Sequence, residues 1–90
     1  MAYVRAIVKG RVQGVGFRWF ARDLARRLGV TGFVRNLPTG EVEIQAVGER
    51  DVLEHLVGEL CSGPGFGYVS DVQCQWADEG PKFTDFRIAF

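Results

Sequence analysis

Two periodicities alternate along the chain, and each switch marks a change of element. Tyr3 to Lys9 alternates with period two, placing Val4, Ala6 and Val8 on one face and Tyr3, Arg5 and Ile7 on the other, which predicts a strand. A glycine-containing loop, Gly10 to Gly16, follows. From Phe17 the spacing is helical: Phe17, Phe20, Ala21, Leu24, Ala25 and Leu28 share one stripe, arginines occupy the other side, and Gly29 suits a left-handed cap. Val30 to Arg35 reads as a second strand, Asn36 to Gly40 as a turn, and Glu41 to Val47 as a third strand with Val42, Ile44 and Ala46 together. A second helix carries Val52, Leu53, Leu56, Val57 and Leu60 until Ser62-Gly63-Pro64-Gly65 breaks it. Val69 to Trp76 alternates again, and Phe83 to Phe90 closes the chain as a last strand with Phe86, Ile88 and Phe90 on one side.

Two helices with one apolar face each can cover one face of a single sheet. The predicted fold is therefore α+β: a ferredoxin-like, split βαβ sandwich, with an antiparallel sheet of four to five strands covered on one face by two helices. A right-handed crossover makes the first and second strands parallel, with another strand between them. Their C-terminal ends then share one edge of the sheet, which brings the loop before Arg18 close to Asn36.

Residues 1–90 suffice for a single domain, near the lower limit for folding without a disulfide or a metal. The 11 basic and 11 acidic residues cancel, so no general attraction to nucleic acid or membrane is expected. The charge is unevenly placed: up to Arg35 the only acidic residue is Asp23. No apolar run is long enough to span a bilayer and the start lacks a signal-peptide pattern, so a cytoplasmic setting is expected. Cys61 and Cys74 do not form a CxxC metal site and read as small buried apolar residues.

The loop Gly10-Arg11-Val12-Gln13-Gly14-Val15-Gly16 joins a strand to a helix start. Glycines allow successive N–H groups to turn inward as an anion nest, the helix start adds its own free N–H groups, and Arg18 can fork onto phosphate oxygens. The loop has neither the Gly-Lys-Ser/Thr ending of a nucleotide-binding Walker loop nor the GxGxxG dinucleotide fingerprint. Read without further context, such a loop is also compatible with a plain turn, Arg18 with an exposed arginine, and Asn36 with an ordinary turn residue.

Gly10 to Arg18 resembles the phosphate loop of the acylphosphatase family. Gly32-Phe33-Val34-Arg35-Asn36, followed by Gly40-Glu41-Val42 and Gly48, resembles that family's second signature at matching spacing. The resemblance implies metal-independent hydrolysis of acyl phosphates to a carboxylate and inorganic phosphate. It makes Arg18 and Asn36 the catalytic residues, Arg18 holding the phosphoryl group and Asn36 positioning the attacking water. The backbone amides of Gln13, Gly14, Val15, Gly16, Phe17 and Arg18 would bind the substrate. It further implies no cofactor or metal, a small-molecule acyl phosphate as the only partner, and a monomer. One departure is Gly65-Phe66-Gly67, more glycine-rich than that family's pattern.

Such chemistry suits this composition. The departing carboxylate has a conjugate acid with a pKa of about 4, so no general acid is required. Two other readings share the architecture. Phe33-Val34-Arg35-Asn36-Leu37 and Gly65-Phe66-Gly67-Tyr68-Val69 resemble RNA-binding signatures, but in the wrong order of elements. An acylphosphatase-like unit can also serve as an accessory domain of a larger maturation protein; a free-standing chain with both signatures favours the enzyme. Phe17, Phe20, Phe33 and Trp76 are expected in the core, His55 at the surface, and Glu41 and Glu43 on an exposed strand face.

Overall fold

A computed structural model describes residues 1–65 and 67–90. Its elements run β1 (Ala2–Arg11), α1 (Phe17–Leu28), β2 (Thr31–Asn36), β3 (Val42–Gly48), α2 (Arg50–Ser62), β4 (Tyr68–Ala77) and β5 (Phe86–Ile88). The strand order is β4-β1-β3-β2-β5. β3 pairs antiparallel with both β1 and β2, which are therefore parallel to each other with β3 between them. This is the ferredoxin-like α+β arrangement that the two periodicities predict.

One pairing departs from an antiparallel sheet: β5 runs parallel to β2, matching Phe86 with Gly32 and Ile88 with Val34. The cause is the crossing after β4. β4 is antiparallel to β1, so it ends at the sheet end where β1 and β2 begin. Residues 78–85 traverse that end, and β5 starts where β2 starts. The last strand is also shorter than its alternating pattern suggests, three residues rather than eight.

Alternation places Val4, Ala6 and Val8 beside Ala46, Ile44 and Val42 and beside Val34, all buried beneath the helices. α1 contributes Phe17, Ala21, Leu24 and Ala25 to this layer, and α2 contributes Leu53, Leu56 and Leu60. α1 ends at Gly29, whose φ of 75° is left-handed; Gly29 and Val30 donate to Arg26 O and Ala25 O at 3.2 and 3.1 Å, closing the last turn. No helix among the described residues is long and apolar enough to cross a membrane.

The other face of the sheet carries no helix, yet it is not uniformly exposed. Glu43, expected on an exposed face, is only 1% exposed, because Arg5 and Arg35 lie over it from the flanking strands with their Nε atoms 2.6 and 2.5 Å from its carboxylate. Phe33, expected in the core, lies on this open face, edge-on to Phe83 at 5.9 Å. Phe17 is buried, Phe20 and Trp76 pack partly against the core, and His55 is exposed, 3.6 Å from Glu59. Cys61 is exposed and not buried as expected, because it follows the inward-facing Leu60 on α2; Cys74 is partly buried.

Candidate active site

Val8 and Asn36 both pair with Val42, from opposite sides. Residues in such a row point the same way, so Asn36 projects on the helix-covered side of the sheet, about two strand spacings (~10 Å) from Val8. Three residues beyond Val8, β1 ends at Arg11 and the loop turns back to start α1 on that same side. The loop, Arg18 and Asn36 thus meet at one sheet edge, as the parallel first and second strands predict. Asn36 is the last residue of β2 and not part of the turn, so the ladder fixes its backbone.

The local conformation follows from the glycines. Gly14 and Gly16 have φ of 76° and 79°, a region that side-chain-bearing residues avoid. Gly16 is the N-cap of α1, no side chain caps that end, and the first turn holds no acidic residue. The opening N–H groups and the positive end of the helix dipole are thus left for an anion. Of the other loop residues, Val15 and Phe17 turn their side chains toward the core, Phe17 at 1% exposed, so each can offer an anion only its backbone amide.

Arg18, in the first turn of α1, is partly buried and makes no salt bridge among the described residues. Its guanidinium stands 5.5 Å from the ring centre of Phe90. Phe90, placed inward by the alternating pattern, is instead fully exposed, because β5 pairing stops at Ile88 and the chain leaves the sheet after Ala89 N donates to Val34 O. The Asn36 side chain, exposed, makes no hydrogen bond among the described residues. Neither the Arg18 guanidinium nor the Asn36 carboxamide is therefore held by a hydrogen bond or ion pair among the described residues.

The departure at Gly65-Phe66-Gly67 falls partly on Phe66, which lies outside the described residues. Gly67 has a clear use: a Cβ there would stand 2.9 Å from Arg11 O and 3.1 Å from Val15. Its bare backbone lets the start of β4 press against the loop.

One contact was not legible in the sequence. Gln13 Nε2 donates to Leu37 O and to Glu41 O, each at 2.8 Å. In the family resemblance Gln13 contributes only its backbone amide, and no local pattern announces a side-chain bond to residues 24 and 28 positions away.

Two clefts, of about 330 and 640 Å³, lie at the far end of β2, lined by residues such as Phe33, Phe83 and Arg87, and Met1, Thr31 and Pro81. Neither includes a residue of the loop, Arg18 or Asn36. A phosphoryl group is small enough to be held by amides at an edge, without a deep cavity.

Fold and site together define an α+β sandwich with a glycine-containing loop between its first strand and the uncapped start of its first helix. The Acylphosphatase family profile matches residues 4–88. An acylphosphatase of Dehalococcoides mccartyi (strain CBDB1) is 47% identical over 89 residues, covering 98% of each chain, and one of Salinibacter ruber is 47% identical over 85 residues, covering 94% of this chain and 90% of that one. Among solved structures, acylphosphatase from Bacillus subtilis superposes with a TM-score of 0.96 at 36% identity, covering 100% of both chains. A Coxiella burnetii acylphosphatase gives 0.91 at 39% identity, covering 98% of this chain and 92% of that one. This chain belongs to the acylphosphatase family.

Proposed function

We propose that this chain hydrolyses acyl phosphates by direct attack of water, with Arg18 and the loop amides holding the phosphoryl group and Asn36 aligning the water. Acylphosphatase activity, hydrolysis of an acid anhydride, is the enzyme class of its family. The observation that carries the division of labour is the placement of Arg18 and Asn36 at one sheet edge, on one side of it, with neither side chain tied to a protein partner among the described residues.

The three equatorial oxygens of the phosphoryl group bear the charge that develops in the transition state. Loop N–H groups and the Arg18 fork are donors of the right kind and cost no reorganisation at the moment of reaction. The Asn36 side-chain oxygen accepts a hydrogen bond from the water and orients its lone pair toward phosphorus. The water attacks, the carboxylate departs with the bonding electron pair, and the excess proton leaves to solvent. A carboxylate leaves unprotonated at neutral pH, so the site needs no acid. Phosphate monoesters, with poorer leaving groups, react slowly here.

The strand order does not support the RNA-binding reading. Phe33 to Asn36 of the one segment lie on β2 and Tyr68-Val69 of the other on β4, with β1 and β3 between these strands.

The test is hydrolysis of benzoyl phosphate in the presence of a chelator, comparing wild type with Arg18→Ala and Asn36→Ala. Each substitution is expected to lower kcat/KM by roughly 10²- to 10³-fold with the fold retained by circular dichroism. Arg18→Ala raises KM as well, while Asn36→Ala acts mainly on kcat. Full activity in Asn36→Ala sinks the water-positioning role, and loss of wild-type activity in the chelator sinks the metal-independent mechanism.

A further inference from the structure

Gln13 sits in the phosphate loop, but its side chain points away from the anion nest and into the turn between β2 and β3. There its single Nε2 nitrogen uses both hydrogens, one on Leu37 O and one on Glu41 O, each at 2.8 Å. Both partners are carbonyl oxygens, so the nitrogen and not the oxygen of the carboxamide must face them. The turn is already closed on itself: Leu37 N donates to Glu41 O at 2.8 Å and Gly40 N donates to Leu37 O at 3.1 Å. Gln13 therefore adds no missing bond to the turn. It docks a second element onto a finished one.

Leu37 directly follows Asn36, and Gly14 directly follows Gln13. Two bonds from one nitrogen to two fixed acceptors restrict rotation as well as distance. Besides Gln13, a Lys9–Glu41 ion pair at 3.5 Å, half exposed, links the end of β1 to the same turn, and the β1–β3 ladder itself ends at Val8 opposite Val42. Between Val8 and Gly16 the chain is free of that ladder on the side facing Asn36. We infer that Gln13 is a positioning residue, which clamps the phosphate loop to the β2–β3 turn and so sets the distance between bound phosphorus and the water on Asn36.

This inference rests on the roles proposed for Arg18 and Asn36, and it predicts a particular kinetic pattern. Arg18 and the amides travel together, so loosening the clamp leaves phosphate binding intact. What suffers is the alignment of water with phosphorus, where a displacement of about 1 Å costs on the order of 10²-fold in rate.

The experiment measures kcat and KM for benzoyl phosphate, and competitive inhibition by inorganic phosphate, in Gln13→Met and Gln13→Ala, each alone and combined with Asn36→Ala. Methionine keeps length and bulk but donates nothing; alanine checks that the effect does not depend on the methionine. Stability to urea is followed in every variant. The expected result is a fall in kcat of roughly 10- to 100-fold, with the phosphate inhibition constant unchanged. In the Asn36→Ala background the Gln13 substitution costs little further, because the group it aligns is gone. Losses that multiply in the double variant, or a weakened inhibition by phosphate matching the loss in rate, would show that Gln13 only supports the loop and would overturn the inference. An Asn36→Ala variant with wild-type activity would instead overturn the proposed water-positioning role, a result readable from that single variant alone.

Discussion

Replacing Glu43 with glutamine keeps the shape of the side chain and removes its charge. The carboxylate, 1% exposed, accepts Arg5 Nε at 2.6 Å, Arg35 Nε at 2.5 Å and Gln45 Nε2 at 3.1 Å. Burial on its own pushes this carboxyl's pKa up; the hydrogen bonds from Gln45, Arg5 and Arg35 and the charge of Arg35 outweigh it, and the net shift is downward. A depressed folded-state pKa means that the charge contributes stability above the unfolded value of about 4.3, and that this is lost as pH falls through the lower folded value. Breaking a buried ion pair costs about 3–5 kcal/mol and an exposed one about 0–1. The arginine side chains here are 36% and 47% exposed, which screens the array and places the cost of Glu43→Gln between these limits. The loss is then about 2 kcal/mol at pH 7, or roughly 10 °C in Tm for a domain of this size. Parallel urea titrations of wild type and variant from pH 7 to about pH 2 check it. The gap should close in acid, since a protonated glutamate and a glutamine are nearly alike. A gap that persists unchanged at the lowest pH would refute the electrostatic account, and a variant as stable as wild type at pH 7 would refute the whole argument.

Two further outcomes follow chiefly from burial. Phe86, 1% exposed, anchors the three-residue β5 beneath α1, so Phe86→Ala should cost about 3–5 kcal/mol, read as a lower urea midpoint. The Cys74 thiol is pushed up by burial and further by the neighbouring Cys61, whereas Cys61 is exposed. An aromatic disulfide reagent at neutral pH should therefore label Cys61 first, Cys61→Ser should abolish the fast phase, and equal rates at both thiols would contradict the assignment.

The features legible in the sequence are those written in local spacing. Phe17 to Leu28 declares its helix and Gly29 its end, and the parallel relation of β1 and β2 follows from one helical crossover. That relation was enough to bring the loop toward Asn36. What covers an outward-facing position is not local. Glu43 alternates as an exposed strand residue should, and it is buried by two arginines from other strands. Phe90 continues the apolar spacing of Phe86 and Ile88, but its strand pairing has already ended. The Gln13 clamp likewise depends on where the hairpin turn lies in space.

The central position of β3 has a consequence in time as well as in space. The pairing of β1 with β3 joins residues as far apart as Ala2 and Gly48, and that of β1 with β4 joins Tyr3 and Ala77. Contacts of such long sequence separation are slow to form, and until β3 is seated between its neighbours Asn36 and the loop belong to unconnected segments. α1 can flicker into helix early, with its uncapped N-terminus formed, while Asn36 is still far away. On the proposed roles of Arg18 and Asn36, the return of activity on refolding is expected to follow the closing of the sheet and not the birth of the helix that carries Arg18.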